Sequence, residues 1–471
     1  MTRKENFMAE ASYDAIIIGV GQAGNPLASA LAKAGKRVAL IERDAVGGTC
    51  INWGCTPTKT MIASARVAYL AGRGADFGVE TGPGPVSIDL SQVRRRKRDV
   101  VEGFRSSIEN KFETSDGISL ICGDAKFTGP KSLEIALRGG GTQAVTAPLV
   151  FINTGARPSV PPIDGLDQTD YLDSTSVMEL DAVPGQLLIL GGGYIALEFG
   201  QMFRRFGSQV TVVERSARIL EREDPDVAEE LAKILAEDGI EIVTEANATR
   251  AASSRGGVTL TLRMSDGGEK TLTGSHLLVA VGRTPNTDAL GLEAAGIAKD
   301  DHGYVTVTDT LETSVPGVYA LGDVKGGPQF THISYDDYRI VEANLLHGGH
   351  RTVSDRPVPY TVFTDPQLGR VGMTEAEAAS AGRAVRVAKL PMTSVARAIE
   401  TDETRGFMKA IVDADTRQIL GAAILAVDGG EVMAVLEVAM LGKLPYTALR
   451  DAVLAHPTLA ESLNNLFMTL G

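Results

Sequence analysis

Cysteine is scarce in this chain, and long apolar runs are missing from it. Three cysteines among 471 residues supply no disulfide framework, which indicates a reducing compartment. No apolar run reaches the roughly 18 residues that cross a bilayer. The N-terminal stretch MTRKENFMAEAS has no apolar core of its own and does not look like a secretory signal. We therefore expect a cytoplasmic protein without a membrane partner.

An excess of positive charge is also lacking. The net charge of −13 at pH 7 argues against a nucleic acid or an anionic membrane as a partner. The basic run RRRKR at 94–98 is the exception, and in an acidic chain we interpret it as a solvated helix face. The chain length allows two to four domains.

Glycine is abundant, with 52 residues, and two of the cysteines share one stretch, GGTCINWGCTPTK at 47–59. A disulfide closing so short a loop would remove only about 2 kcal/mol of unfolded-state entropy. We therefore interpret Cys50 and Cys55 as a redox-active pair. Thr49 is placed to cap a helix that runs on from the cysteines, and a helix N-terminus lowers the pKa of a thiol.

Other interpretations of the cysteines stay open at this point. The pair could be two buried structural thiols, whereas a zinc site would need further ligands that the neighbourhood lacks. Cys122 lies in the apolar run ISLICGDA and is expected in a buried strand. His347 and His350 have no acid or cysteine beside them, so we predict no metal site there.

A dinucleotide fingerprint begins the chain. The apolar run AIIIG leads into Gly19, Gly21 and Gly24, then a helical pattern, then VALIE with Glu42 at its end. The glycines admit a tight turn and a pyrophosphate at the helix N-terminus, and the acid accepts a hydrogen bond from a ribose hydroxyl. The cysteine stretch begins five residues after Glu42, so we expect the reactive end of this nucleotide near the cysteines.

The same module recurs after LLIL, with Gly191, Gly193 and a strand that ends at Glu214. Two modules predict two dinucleotides, and a doubled fold that has lost one ligand is the alternative. Glu214 should repel a 2′-phosphate and so favours NADH. Arg215 and Arg218 lie close enough to bind that phosphate, which keeps NADPH as the alternative.

The motif GGTCxNxGCxPxK resembles the active-site signature of the class I pyridine nucleotide-disulfide oxidoreductases, which include dihydrolipoamide dehydrogenase, glutathione reductase and mercuric reductase. The resemblance extends over nearly the whole chain. It implies an α/β fold with two Rossmann-like dinucleotide-binding domains, for FAD and NAD(P), and an α+β C-terminal dimerisation domain. The expected boundaries are 1–12 for a flexible tail, 13–156 and 285–350 for the FAD-binding domain, 157–284 for the NAD(P)-binding domain and 351–471 for the dimerisation domain.

The resemblance also implies roles for single residues. Cys50 is the interchange thiol that attacks the substrate, and Cys55 is the thiolate beside the flavin. Lys59 lies near the flavin N5 and pairs with Glu198, and Tyr194 covers the flavin until nicotinamide displaces it. Further implied contacts are Thr49, Thr154, Gly155, Gly322 and Asp323 for FAD and Gly282 for NAD(P).

The C-terminal segment LAHPTLAESLNNLF contains a histidine with a carboxylate five residues later. Pro457 holds the backbone of His456 out of the helical region. Glu461 can orient the imidazole, which exchanges protons with the thiols of a substrate. In the family this histidine reaches the cysteines of the other subunit, which implies an obligate homodimer.

We therefore predict that electrons pass from NAD(P)H through FAD to the Cys50–Cys55 disulfide and then to an external disulfide, such as lipoamide or a low-molecular-weight thiol disulfide. The segments CTPTKT and SVARAIETDETRGFMKAIVD look more like mercuric reductases, so a metal-ion or oxidant-defence reductase is the alternative. The chain shows no C-terminal cysteine pair and keeps His456, which argues against efficient mercury reduction. A low-turnover flavin redox sensor is a second alternative.

Overall fold

A computed structural model gives the fold and describes residues 11–82, 84, 86–254 and 256–471. Backbone contacts divide the chain into two units. The first comprises 1–60, 95–159 and 283–356, and the second comprises 61–94, 160–282 and 357–471. Among the described residues, no helix combines the length and the apolarity that a membrane span requires.

The secondary structure alternates strands and helices for most of the chain. The strands are β1 (Ala11–Ser12), β2 (Ala15–Ile18), β3 (Val38–Glu42), β4 (Ile118–Gly129), β5 (Ser132–Leu137), β6 (Thr142–Thr146), β7 (Leu149–Ile152), β8 (Ala156–Pro158), β9 (Gln186–Leu190), β10 (Gln209–Val213), β11 (Ile240–Val243), β12 (Ala246–Ser254), β13 (Gly257–Met264), β14 (Glu269–Gly274), β15 (His276–Val279), β16 (Arg283–Pro285), β17 (Val318–Ala320), β18 (Tyr360–Val362), β19 (Gln367–Gly372), β20 (Val385–Pro391), β21 (Phe407–Asp413) and β22 (Ile419–Ala426). The α-helices are α1 (Gly24–Lys33), α2 (Gly48–Asn52), α3 (Cys55–Gly72), α4 (Leu90–Glu113), α5 (Tyr194–Phe206), α6 (Pro225–Glu237), α7 (Leu292–Ala295), α8 (Thr331–Leu346), α9 (Glu375–Ser380), α10 (Ala396–Glu400), α11 (Gly429–Leu441), α12 (Tyr446–Arg450) and α13 (Ser462–Met468). Short 3₁₀ turns lie at Gly74–Phe77, Leu166–Gln168, Ser176–Glu179, Gly322–Lys325, Val353–Asp355 and Met392–Ser394.

The first unit is built on a sheet in the order β1-β6-β5-β4-β3-β2-β7-β17. Its parallel part runs from β4 to β17, and β4, β5 and β6 form antiparallel pairs. Every residue of β2 and β3 is buried, because parallel strands are covered on both faces. The carboxyl ends of β2 and β3 therefore open into the loops that carry the first glycine motif and the cysteines.

Two expectations fail in this sheet. Residues 1–10 of the expected flexible tail lie outside the described residues, but Ala11 and Ser12 form β1 and pair in parallel with Val145 and Thr146. Two residues are too few to show a strand period. Cys122 lies on β4 opposite Glu42 but is exposed rather than buried, because β4 is only half-buried and this side chain points to solvent.

The second unit contains a parallel sheet in the order β11-β10-β9-β15, the arrangement of a Rossmann half. It also contains an antiparallel sheet in the order β12-β13-β14 and another in the order β18-β19-β22-β21-β20. Residues 61–94, which the sequence placed with the FAD-binding domain, group with this unit. Arg66 explains part of this grouping, since it pairs with Asp365 at 2.5 Å and Glu403 at 2.6 Å. The α/β class with two Rossmann-like sheets and an α+β C-terminal part is confirmed.

The basic run at 94–98 lies on α4. Arg95, Arg96 and Arg98 are exposed, as a solvated face requires, but Lys97 is buried. Three of the five residues are therefore exposed to solvent, and the run is not a solvated face throughout.

A buried ammonium group stabilises the C-terminal part of the second unit. The side chain of Lys409 is 1% exposed, and its Nζ lies 3.1 Å from Asp224, 2.8 Å from Asp226 and in contact with Glu375. These three acids hold their oxygens within 4.8 Å of one another, a spacing that could also ligate a metal ion. The ammonium group of Lys409 occupies the centre of that arrangement and compensates its charge.

We predict that Lys409→Met destabilises the protein by about 3 to 5 kcal/mol, because it leaves the buried carboxylate of Asp224 without its cation. Thermal unfolding of the FAD-loaded protein measures this as a lower midpoint. The control is Lys270→Met, which removes an exposed pair with Glu241 at 3.0 Å and should cost about 1 kcal/mol or less. Equal unfolding midpoints for the two variants would contradict the stabilising role of Lys409.

Candidate active site

The cysteine stretch folds into a tight loop that leads into two helices. Gly47 and Gly48 both adopt positive φ, and a Cβ on Gly48 would lie 2.8 Å from the Cα of Gly21. Asn52 secures the loop, because its Nδ2 donates to the carbonyls of Val46 at 2.9 Å and Gly48 at 3.0 Å. The sequence analysis gave no role to Asn52, whose partners lie on a turn that only the fold defines.

The expected N-cap at Thr49 is wrong. Gly47 occupies the N-cap of α2, so Thr49 lies inside the first turn of this helix. The left-handed backbone at Gly47 and Gly48 determines where the helix begins, and a threonine would be strained at either position. Cys50 belongs to α2, whereas Cys55 begins α3.

The two cysteines are free thiols whose side chains interact. Cys50 is half-buried and Cys55 is exposed. The hydrogen bond to Cys55 and then burial raise the pKa of the Cys50 thiol, and Thr331 and Lys59 oppose that rise. The expectation of a lowered pKa is therefore wrong for Cys50. Once Cys55 has lost its proton, a second negative charge beside it is costly, so the two thiols lose their protons as a coupled pair.

Thr331 is a site residue that the sequence analysis missed. Its Oγ1 lies 3.3 Å from the Sγ of Cys55, at the first turn of α8 and 276 residues away along the chain. A hydroxyl that donates to a thiolate stabilises the charged form. Lys59 also belongs here, because its charge lowers the pKa of Cys50. The structure thus brings Cys50, Cys55, Lys59 and Thr331 together.

The first glycine motif forms a cradle at the start of α1. Gly19 has φ of +101°, and a Cβ on Gly24 would lie 2.2 Å from the carbonyl oxygen of Gly19. Glu42 accepts hydrogen bonds from the N–H groups of Val20 and Asp44, both at 2.9 Å. Burial raises the pKa of Glu42, and these two donors oppose the rise. Asn153 also braces the turn, because its Nδ2 donates to Gly19 O at 3.1 Å.

The remaining expected FAD contacts lie in the same unit. Asn286 connects the segment of Thr154 and Gly155 to the later part of the chain, because its N–H donates to Gly155 O at 3.0 Å and its Nδ2 donates to Thr154 O at 2.9 Å. Burial raises the pKa of Asp323, while Arg283 and Lys325 oppose the rise. The Nε of Arg283 is buried without a hydrogen-bond partner among the described residues.

Asp337 supports the Gly322–Asp323 turn and was also missed. It is fully buried, and its carboxylate accepts from the N–H of Gly322 at 2.7 Å. Arg356 at 2.7 Å and Lys325 at 3.3 Å neutralise it. The turn is therefore held by an acid from α8, and Asp323 is left to a ligand. The glycine cradle, Glu42 and Asp323 together fit the pyrophosphate and hydroxyl groups of FAD.

The second module repeats the first in atomic detail. Glu214 accepts from the N–H of Gly192 at 2.6 Å and of Ser216 at 2.8 Å, which are the positions equivalent to the two donors on Glu42. Gly191 has φ of +112°, and Gly193 is the N-cap of α5. These groups fit the adenosine and pyrophosphate of NAD(P).

Tyr194 and Glu198 lie in the first two turns of α5, in the second unit. Glu198 is buried, and its Oε1 accepts from the N–H of Phe363 at 2.9 Å. Gly282 has φ of +135° at the end of this unit. The expected roles of these three residues stay predictions.

His456 and Glu461 form a pair in the second unit. The Nδ1 of His456 lies 2.9 Å from one carboxylate oxygen of Glu461 and 3.1 Å from the other. Because a carboxylate only accepts, Nδ1 carries the proton and Nε2 is left to act as the base. The imidazole is 67% exposed, so it is available to a ligand or a second subunit.

A pocket of about 540 Å³ adjoins the loop that carries His456. Residues 457–460 form one wall, and Arg397, Asp428 and Glu431 bring charges of both signs. The sequence analysis did not group them, because Arg397 lies on α10 whereas Asp428 and Glu431 lie at the start of α11. The pocket offers room for an organic molecule next to the segment that follows His456.

Comparisons with known proteins agree with these features. Residues 13–337 match the model of the pyridine nucleotide-disulphide oxidoreductases, and residues 358–467 match the dimerisation domain of that family. The probable pyridine nucleotide-disulfide oxidoreductase RclA of Escherichia coli (strain K12) is 42% identical over 97% of this chain and 98% of the relative. A mercuric reductase of Staphylococcus aureus is 35% identical over 98% of this chain and 83% of the relative. A structure described as the Cu(II) complex of HOCl-induced flavoprotein disulfide reductase RclA from Escherichia coli has a TM-score of 0.89 and 40% identity, and the match covers 98% of this chain and 100% of that one.

We predict that Thr331→Val raises the pH at which the cysteine pair loses its first proton by about one unit, because a charge-assisted hydrogen bond is lost. The measurement is the pH dependence of iodoacetamide alkylation of the reduced protein. A Cys122→Ser background removes the other exposed thiol. Thr331→Ser keeps the hydroxyl and should restore the original profile; identical profiles for valine and threonine would refute the role.

Proposed function

This chain belongs to the class I pyridine nucleotide-disulphide oxidoreductase family, and we propose that it reduces a small organic disulfide through Cys50 and Cys55. The family uses FAD and NAD(P)H, and its members act on sulfur groups. The observation that carries the proposal is the interacting pair of free thiols, with Thr331 and Lys59 placed to stabilise a thiolate.

The proposed chemistry is two successive thiol–disulfide exchanges. As the Sγ of Cys50 attacks one sulfur of the substrate RSSR, the proton of Cys50 passes to Nε2 of His456. The first RS⁻ leaves and takes that proton from His456. The thiolate of Cys55 then attacks the Sγ of Cys50, which releases the second RS⁻ for protonation and forms the Cys50–Cys55 disulfide. Bound FAD supplies the two-electron link from NAD(P)H to that disulfide. The sum is NAD(P)H, one proton and RSSR giving NAD(P)⁺ and two RSH.

In this proposal His456 exchanges protons with the thiols, and Glu461 orients its imidazole. The chain carries the dimerisation domain of its family at 358–467. We propose a cytoplasmic homodimer in which His456 of one copy serves the cysteines of the other. The exposure of the imidazole and the carboxylate on its Nδ1 support this role, because both leave Nε2 ready to exchange a proton with a thiol.

The pocket lined by residues 457–460 supports an organic substrate. Arg397 can bind a carboxylate, and Asp428 and Glu431 can bind an ammonium group. A disulfide that carries both kinds of charge would use all three residues. A free metal ion would not use Arg397.

A reductase of Cu(II) in oxidant defence is the second candidate. It is favoured by one observation, the described Cu(II) complex of the HOCl-induced relative. In that reaction a dithiol would give up two electrons to two Cu(II) ions, so the cysteines keep their role. Protonation of a leaving thiolate is no longer needed, and His456 becomes dispensable.

We predict that an anaerobic titration of the FAD-loaded protein with NADH yields a long-wavelength charge-transfer band at two electrons, and that Cys55→Ser abolishes it. Steady-state turnover with lipoamide, glutathione disulfide, mycothione and Cu(II) then identifies the acceptor. A disulfide acceptor should lose at least about a hundredfold in kcat/KM with His456→Gln, the usual contribution of a general acid–base. Turnover of Cu(II) that survives His456→Gln would select the second candidate. If Cys50→Ser left the turnover of every acceptor undiminished, the thiol mechanism would be excluded.

We also propose NADH as the preferred donor, because two N–H groups hold the carboxylate of Glu214 where it would meet a 2′-substituent. We predict that Glu214→Gln raises the ratio of kcat/KM for NADPH to that for NADH by about tenfold, the effect of removing one charge repulsion. The ratio is insensitive to any uniform loss of activity. Arg263→Gln, an exposed change on β13, is the control and should leave it unchanged. An unchanged ratio in Glu214→Gln would contradict the preference.

A further inference from the structure

A second pocket, of about 340 Å³, lies at the C-terminal end of α5 in the second unit. Arg204 and Arg205 from the last turn of α5 line it, with Tyr69, Arg73 and Asp238. We call it the α5 pocket. None of its residues takes part in the chemistry proposed above.

Arg205 provides the main evidence for a ligand. Its side chain is 7% exposed, and its Nη1 donates to Asp365 at 2.6 Å. Its Nε and Nη2 are buried and have no hydrogen-bond partner within the described part of the chain. The carboxylate of Asp238 lies 4.0 Å from Nη2, which is too far for a hydrogen bond.

The two unpartnered nitrogens form one edge of the guanidinium group. Nε and Nη2 present parallel N–H bonds, and this edge binds both oxygens of a carboxylate or phosphate at once. Burying a donor without a partner destabilises the protein. Attraction to the carbonyl end of α5 explains why a positive charge lies here, but it does not account for an edge without acceptors.

Arg204 adds a charge that no acid compensates. Its Nε donates to the carbonyl oxygen of Asp238 at 2.8 Å and its Nη1 to that of Ser208 at 3.3 Å. Among the described residues it forms no ion pair. The carboxylate of Asp238 is already committed, because it accepts from Arg405 at 2.7 Å and Gln201 at 2.7 Å.

The aromatic ring of Tyr69 fixes the arrangement. The guanidinium carbon of Arg205 lies 4.0 Å from the ring centroid, and that of Arg73 lies 5.1 Å away. The hydroxyl of Tyr69 accepts from Arg73 at 3.0 Å. Stacking on a ring orients a guanidinium group in advance, which reduces the entropy lost when an anion binds.

We propose that the α5 pocket binds an oxyanion, namely the phosphate or carboxylate group of a small molecule. Arg205 grips it with its free edge, and Arg204 supplies the balancing charge. The volume suits a small molecule.

Isothermal titration calorimetry of the FAD-loaded protein tests this, with inorganic phosphate and with acetate at constant ionic strength. We expect one site per chain. Arg204→Gln and Arg205→Lys should each weaken it by about tenfold or more, the value of a hydrogen bond to a charged group. Arg205→Lys keeps the charge and removes the bidentate edge, whereas Arg263→Gln is the control and should bind like the original protein.

The outcomes separate the possible sources. Tighter phosphate binding assigns the site to phosphorylated molecules, and tighter acetate binding assigns it to carboxylates. Equal affinities in the original protein, Arg204→Gln and Arg205→Lys would overturn the proposal. A loss of anion affinity in Arg218→Gln instead would also overturn it, since Arg218 belongs to the second nucleotide module. The proposal also fails when the original protein binds neither anion.

Discussion

The close contact between Gly48 and Gly21 is the constraint on which the proposed chemistry depends. Any side chain on Gly48 would collide with the backbone of Gly21, so the cysteine loop lies directly on the turn that cradles the first dinucleotide. A reactive thiol pair is useful only when its distance to an electron donor is fixed. Here that distance is set by backbone packing, which varies less than any contact between long side chains.

Site residues that lie close together along the chain could be predicted from the sequence. The glycines, Glu42 and Glu214 follow one another within single strand–turn–helix units, so their order along the chain is also their order in space. Cys50 and Cys55 share one short stretch for the same reason, and His456 and Glu461 are only five residues apart. The role of Lys59 was implied only by the resemblance to the family and stays a prediction.

Residues brought in by tertiary contacts could not be predicted in this way. Thr331 reaches Cys55 across 276 positions, and Asp337 meets Gly322 only because α8 packs behind the turn. The predictions for Thr49 and Cys122 were wrong for a different reason. A left-handed glycine shifted the helix start. Cys122 lies on the face of β4 that also carries the exposed Asp124 and Lys126, so the apolar neighbours of Cys122 in the sequence misled the prediction.

Asp337 has a consequence for how the first unit could be separated from the rest of the chain. Its buried carboxylate is neutralised by Arg356, six residues beyond the boundary at 350 that motif matching suggested. A fragment cut at 350 would retain every recognisable flavin motif and still leave this carboxylate short of its guanidinium partner. A fragment meant to keep the interior of this unit neutralised therefore has to include Arg356, where the first unit ends.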